Sequence, residues 1–250
     1  MSFLTHEQNG LVWLTSSLLD GVCHGFSTRQ GGVSQPPFDT MNLAPGRDDD
    51  PAAVRENYRR FCGTLGVDPA RTVLSKQVHE ATVRLCTEAD AGKGLLSPRD
   101  ANLPLVVFSA DCGILLLYDP IHRAVGAIHA GWRGCAAGIP EKTVQAMTAA
   151  FGTRPEDLVA AVGPCIQQCC FETDSDVPAA MTQALGSEAA PYLARQGAKW
   201  HVDRVSTGNG CCGQVSARNG STVVRCAPPA ARISSGLTAR WERPGVRRSP

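Results

Sequence analysis

LVVFSADCGILLLYDPIHRAVGAIHAGWRG, residues 105–134, decides how this chain folds. Residues 105–112, 113–120 and 124–131 are short apolar runs rich in Val, Ile and Leu, separated by turn signals. Runs of that length and composition predict buried strands. Asp119-Pro120-Ile121-His122 predicts a four-residue hairpin loop between the second and third runs. If Tyr118 pairs with Arg123, Cys112 lies directly opposite His129, on one face with Cβ atoms about 4.5–5.5 Å apart. A slip of one residue would send the two side chains to opposite faces. The third run ends on His129, and Gly-Trp-Arg-Gly follows. That segment is expected to turn without forming regular structure.

The flanking sequence extends the same alternation. VCHGFSTRQGGV (22–33) predicts a short strand running into a Gly-rich turn. Asp50 and Pro51 are suited to the N-cap and first position of a helix whose Val54, Tyr58, Phe61 and Leu65 share one face, with Gly66 ending it. TVLSKQVH (72–79) predicts a strand ending on His79, and the polar residues 88–102 a loop. Pro140 opens a second helix that turns Val144, Met147 and Phe151 inward and closes at Gly152. DLVAAVGP (157–164) predicts another strand and residues 176–186 a weaker helix. Strands alternating with helices, without an internal repeat or a linker, predict a single α/β domain.

Composition narrows the function classes. The chain has 250 residues, 43% hydrophobic and 19% charged, the balance of an ordinary globular domain. No apolar run approaches the ~20 residues of a membrane span. MSFLTHEQNG lacks the basic and apolar regions of a secretory signal. A cytoplasmic location without membrane contact is therefore expected, with the eleven cysteines held as thiols or metal ligands. The formal charge of +1 conceals a break: residues 204–250 carry +7 and the first 203 carry −6. The basic tail has little aromatic interleaving and no binding motif, so a nucleic-acid partner is not expected.

A thiolate and an imidazole facing each other across a hairpin can share one zinc, at about 2.3 and 2.0–2.1 Å. His79, at the predicted end of its own strand and followed by Glu80, is the candidate third ligand. Two His and one Cys, with a fourth position open to water, match a catalytic zinc pattern. Cys165, Cys169 and Cys170 form a rival cluster, but no matching pair lies at finger spacing, so packing is the expected role.

SKQVH, SADC, HAGWRG and AVGPCIQQCCFE, in that order, together with HGFSTRQGGVS and MNLAPGRDDDPAAVRENY near the start, resemble the motifs of the YfiH family across about residues 22–203. Its members are variously called polyphenol oxidase (laccase-like), peptidoglycan editing factor and purine nucleoside phosphorylase. The resemblance implies an α/β single-domain layered sandwich of mixed sheets flanked by helices, related to a bacterial toxin that uses a Cys–His pair. It implies His79, Cys112 and His129 as metal ligands, holding zinc, with copper the alternative. It implies phosphorolysis of adenosine, inosine, guanosine or methylthioadenosine to base and sugar 1-phosphate, with adenosine deamination beside it. Copper-dependent phenol oxidation and a Cys112 hydrolase with His129 as base are the competing activities. The expected partners are a small-molecule nucleoside and phosphate, and the chain is expected to be a monomer or a weak homo-oligomer. Arg133 offers a planar donor fork for phosphate, and Arg29, beside Gly amides, is a second phosphate candidate. Asn42 completes the substrate-binding set. Asp111 is expected to orient a ligand or act as acid or base, Gln77 to form a polar wall, and Gly131 and Gly134 to let the backbone turn sharply near a ligand.

The family ends with a Cys-Thr pair and an aromatic-Ser-aromatic/His-Arg segment, and here the chain departs from the pattern. After KWHVD (199–203) it becomes rich in Arg, Gly and Ser, a composition that predicts a poorly ordered tail. Back-translated with GC-rich codons and read in a shifted frame, NGCCGQ becomes RLLRAG, and RCAPPAARISSGLTAR becomes LCTACRPDLFWSHRA. The second product contains the missing Cys-Thr and Phe-Trp-Ser-His-Arg. A frame shift in the coding sequence near residues 204–209 would account for the tail, and resequencing that stretch of DNA is the test. The domain boundaries expected are 1–203 for the catalytic unit and 204–250 for the tail, with Cys211, Cys212 and Cys226 of the tail carrying no inherited role.

Overall fold

The computed structural model describes residues 3–45, 47–74, 77–86 and 103–203, and the backbone of Ser235–Trp241. The loop expected at 88–102 and Cys211, Cys212 and Cys226 lie outside the described residues. The strands are β1 (Phe3–Gln8), β2 (Leu11–Ser16), β3 (Val22–Ser27), β4 (Val73–Leu74), β5 (Leu105–Ser109), β6 (Gly113–Asp119), β7 (Ala124–Ala130), β8 (Val159–Val162), β9 (Glu172–Thr173), β10 (Leu193–Gln196), β11 (Lys199–Val202) and β12 (Ser235–Trp241). The helices are α1 (Pro51–Thr64), α2 (Trp132–Ala136), α3 (Ile139–Phe151) and α4 (Asp176–Leu185). Among the described residues, no helix is long and apolar enough to cross a membrane.

The strands form a six-stranded sheet in the order β1-β2-β3-β12-β5-β4, a three-stranded sheet β7-β6-β8, and a small sheet β10-β11-β9. Among the described residues, only β4–β5 is paired in parallel. The first two sheets face each other. Phe26, Val73, Leu105 and Val107 of one pack with Ile114, Leu116, Val125 and Ala127 of the other in one core. The next residues along the same strands point the other way, as the two-residue period of a strand requires. Leu115, Leu117 and Ile128 therefore pack against Val144, Met147 and Phe151 of α3 and Met181 of α4. On the far side of the large sheet, Leu11 and Trp13 pack against Phe61 of α1. The result is a helix–sheet–sheet–helix stack, the layered α/β sandwich expected from the sequence. Both faces of β6 are covered, which is why its seven residues are all buried.

Capping follows the sequence closely. The Asp50 side chain accepts from Ala52 N at 2.8 Å and Pro51 follows it. Gly152 closes α3 at φ 74°. Within α1, fully buried Asn57 donates to Ser34 Oγ and to the carbonyls of Thr40 and Asn42, and accepts from Val33 N. One side chain thus pins residues 33–42 to the helix.

Three expectations are corrected. The β6–β7 hairpin pairs Asp119 with Ala124 and Ile114 with His129, so Cys112 is not directly opposite His129. The loop is Pro120–Arg123, one residue later than expected. Asp119 Oδ1 accepts from Ile121 N and His122 N, and Arg123 takes φ 59° to turn back. The register shift is two residues, so Cys112 keeps its expected face. Second, β4 ends at Leu74, and His79 sits in irregular backbone at φ 59° rather than at a strand end. Third, the segment after His129 does form regular structure, the short helix α2, with Arg133 on it. The backbone of Ser235–Trp241 lies antiparallel to both β3 and β5, in the interior of the large sheet.

Candidate metal centre

Four chain segments reach one end of the sheets. β5 and β4 run in parallel, so the loop after Leu74 leaves at the same end as Ser109. β6 starts and β7 finishes there, with Gly113 paired to Ala130. The turn 109–112 joining β5 to β6 is closed by Ser109 Oγ donating to Cys112 O at 2.7 Å. Two further bonds brace it from the β8 side: Ile166 N donates to Asp111 O at 2.9 Å, and Gly163 N to Ile114 O at 2.8 Å. Cys112 on this turn, His129 near the end of β7 and His79 on the loop are thereby brought together.

One donor atom from each of His79, Cys112 and His129 lies within 4.8 Å of the others. Among the described residues, this is the one cluster of three such donors. The imidazoles meet edge to face, with centroids 5.1 Å apart and planes at 77°. Gly131 forms the floor. A Cβ built on it would stand 3.1 Å from His79 Nδ1 and 3.3 Å from His129 Nε2. The site needs the space that this glycine leaves, and its φ of −66° shows that a left-handed turn is not the reason for it. Gly134 is less constrained: a Cβ there would meet Ile139 Cγ2 at 3.3 Å and make an ordinary contact with the Glu80 carbonyl at 3.5 Å.

The ring of His129 is held from behind. Its Nδ1 lies 2.6 Å from the Phe108 carbonyl oxygen. Gln77 Nε2 also lies 2.7 Å from Nδ1. In the tautomer that gives an Nδ1 proton to this carbonyl, which only accepts, the lone pair is on Nε2, on the side of the cluster. Gln77 fixes the carbonyl as well. Its Nε2 donates to Phe108 O at 2.7 Å, and its Oε1 accepts from Phe108 N at 2.6 Å. Gln77 therefore orients His129 both by direct contact with the ring and through the backbone of Phe108. The Phe108 backbone was not foreseen, because every residue type carries the same carbonyl. His79 holds φ 59°, a conformation uncommon for residues with a Cβ. Such outliers persist where surrounding structure or function demands them.

The donor set fits a borderline-soft divalent ion. Two neutral imidazoles and one thiolate match the ligand types that zinc and copper accept, and the glycine floor leaves them room. The other sequence candidates are placed as follows. Asp111 is exposed beside Cys112. Arg133 is exposed, its guanidinium 4.2 Å above the Trp132 ring. Arg29 is bound to Asp39, with NH2 to Oδ2 at 2.5 Å and to the carbonyl at 2.9 Å. Asn42 is buried and bonds to Asp49, Ala44 and Asn57. Hydrogen bonds hold Gln77 to His129 and to the strand behind it, whereas Arg29 and Asn42 bond to Asp39, Ala44, Asp49 and Asn57 in the N-terminal part of the chain. A cleft of about 560 Å³ near that segment is lined by Val33, Phe38, Asp48 and Asp49, among others, and by none of the three donors.

The profile of the family described as multi-copper polyphenol oxidoreductase laccase matches residues 23–209, which contain every donor named above. The chain belongs to the YfiH family. A purine nucleoside phosphorylase of Streptomyces coelicolor is 38% identical over 167 residues, 64% of this chain and 68% of that protein. The Shigella flexneri protein YfiH, also named a purine nucleoside phosphorylase, is 34% identical over 186 residues, 73% of this chain and 74% of that one. The crystal structure of YlmD from Geobacillus stearothermophilus superimposes with a TM-score of 0.85 at 24% identity, over 95% of this chain and 98% of that one. Most of this YfiH-family chain therefore shares its fold with a solved structure.

The role given to Gln77 is testable. Gln77→Ala is expected to weaken metal binding by about 10–100-fold, the usual effect of removing a group that orients a ligand. The thermal midpoint of the metal-free protein should shift little by comparison. Competition with a chromophoric chelator reads the affinity.

Proposed function

We propose that this YfiH-family chain is a zinc-dependent purine nucleoside phosphorylase, acting on adenosine, inosine, guanosine or methylthioadenosine. The convergence of His79, Cys112 and His129 within 4.8 Å carries the reading. The names of its relatives, at 34–38% identity, supply the reaction class. In phosphorolysis the bond between the base nitrogen and the sugar anomeric carbon breaks, a phosphate oxygen bonds to that carbon, and the base leaves with a proton. A zinc ion held by the three donors supplies a Lewis acid at that point.

The chain's own groups do the rest. Arg133 binds phosphate through two parallel N–H donors, and Trp132 holds the guanidinium plane. Arg29 adds a second fork by exchanging Asp39 for phosphate, an exchange that costs little because both side chains are about 40% exposed. Asn42 keeps the N-terminal segment in shape through Asp49 and Asn57. Asp111, exposed next to Cys112, moves the proton to or from the purine ring. Adenosine deamination at purine C6 is the side reaction expected in the same pocket. The catalytic unit is residues 1–203. The tail from 204 onward reflects a frame shift, a reading supported by the family ending that appears in the shifted frame and tested by resequencing the coding DNA near residues 204–209.

The test is chromatography of inosine and adenosine incubated with the zinc-loaded chain, with and without phosphate. Base release that requires phosphate and yields sugar 1-phosphate is the expected result. Oxygen uptake with a phenol and no base release would replace this reading with the copper oxidase. Release of base without phosphate would make the enzyme a hydrolase.

A further inference from the structure

Cys169 and Cys170 stand outside the metal centre, and the packing role expected for them is not what the structure shows. Both are exposed, whereas Cys62, Cys86 and Cys135 are buried. Their sulfurs are 3.1 Å apart. The backbone beneath them is fixed on both sides. Cys170 N and Phe171 N both donate to Gln167 O at 2.9 Å, and His201 Nδ1 donates to Gln168 O at 2.9 Å. Phe171, the next residue, packs against the core beside α4. A thiol pair is thus held together at the surface by a rigid turn, close enough for one sulfur to attack the other.

We infer that Cys169 and Cys170 form a peroxide-sensitive dithiol, one cysteine attacking the oxidant and its neighbour resolving the product. The chemistry balances with a hydroperoxide as oxidant. The Cys169 thiolate attacks the O–O bond, giving a sulfenic acid and releasing hydroxide or alkoxide. The Cys170 sulfur then attacks Cys169, forming an S–S bond and releasing water. The peroxide is reduced by two electrons and the two thiols are oxidised by two. Exposure and an adjacent resolving thiol are what redox-sensing cysteines share. The contact with Cys169 raises the pKa of the Cys170 thiol, which favours Cys170 as the resolving sulfur and leaves Cys169 as the attacking one. By contrast, burial pushes the Cys62 thiol up to about 12 and removes it from this chemistry.

The product should be easily reversed. Neighbouring Cα atoms are about 3.8 Å apart, short of the roughly 4.4–6.8 Å that relaxed disulfides span. A strained disulfide has a more oxidising potential, so a simple thiol reopens it. No third donor of a soft-metal site joins the pair among the described residues.

Stoichiometric hydrogen peroxide, added to the zinc-loaded full chain and followed by peptide mapping, tests this. The peptide spanning 169 and 170 is expected to lose two hydrogens and to regain them with dithiothreitol. Cys170→Ser should leave a sulfenic acid on Cys169 that dimedone traps. Cys169→Ser should slow oxidation at position 170 by at least about tenfold, as expected once the attacking thiolate is lost. Three results would overturn the inference: a disulfide from either cysteine to another position, conversion of Cys169 to sulfinic acid without a disulfide, or both thiols remaining open to alkylation after other cysteines have reacted.

Discussion

Cys112→Ala is expected to remove bound metal and to lower phosphate-dependent base release by at least about 100-fold, more than the loss of a group that only orients a ligand. The sulfur is the anionic member of the donor set, and its removal leaves two neutral imidazoles, too few for a stable zinc site. The fold should survive. Cys112 sits in a turn at the sheet end, half-buried and outside the main cores. Bonds of the Asp111 and Cys112 backbone hold the turn, and alanine retains them. Metal content by elemental analysis, circular dichroism and initial rates on inosine form one experiment. Full activity in a folded, metal-free variant would show that the cluster is not the reaction centre.

Gly131→Val is expected to produce nearly as large a loss for a different reason. The substitution changes no donor, but its Cβ would stand 3.1 Å from His79 Nδ1 and 3.3 Å from His129 Nε2, and its methyl groups would extend further. The imidazoles must spread apart, and metal affinity should fall by about 100-fold or more, with Gly131→Ala between wild type and valine. The backbone at 131 has ordinary negative φ, so alanine adds no backbone strain and reduces the entropy of the unfolded chain, which offsets the contacts of its Cβ with two rings that give way when no metal holds them. Stability of the metal-free alanine variant should therefore equal or exceed wild type while its affinity drops. Isothermal titration with zinc and thermal melts separate the two. Equal affinity in all three proteins would show that the glycine is not the floor of the site.

The same glycine shows how much of this molecule can be read without coordinates. HAGWRG marks a special place, and the expectation of a sharp turn at Gly131 was reasonable. The structure gives a different cause, the clearance of two rings that come from segments 50 residues apart in sequence. Local sequence cannot express that. The buried runs at 105–130 were legible because three short apolar stretches bounded by turn residues admit few other folds. Their pairing was legible only to parity. The two candidate loops differ by one residue, and the choice rests on the Asp119 side chain capping Ile121 and His122 and on Arg123 adopting φ 59°. His79 lies beside Cys112 and His129 but not at a strand end, since β4 stops at Leu74, ahead of the polar run Ser75-Lys76-Gln77. Gln77 was legible as polar and near the site. Its grip on both backbone groups of Phe108 was not, because that partner lies 31 residues away. Composition alone gives no strand in the basic tail, yet the backbone of Ser235–Trp241 pairs with β3 on one side and β5 on the other. Tertiary context can override composition in this way.

Titration of the metal-free chain with cobalt(II), with Cys112→Ser alongside, tests the central claim most directly. The account predicts one tightly bound cobalt per chain. It also predicts a near-ultraviolet thiolate-to-cobalt charge-transfer band that is present in wild type and absent in the serine variant. A band that survives in Cys112→Ser, or its absence from wild type at saturation, would contradict the assignment of His79, Cys112 and His129 as the metal centre.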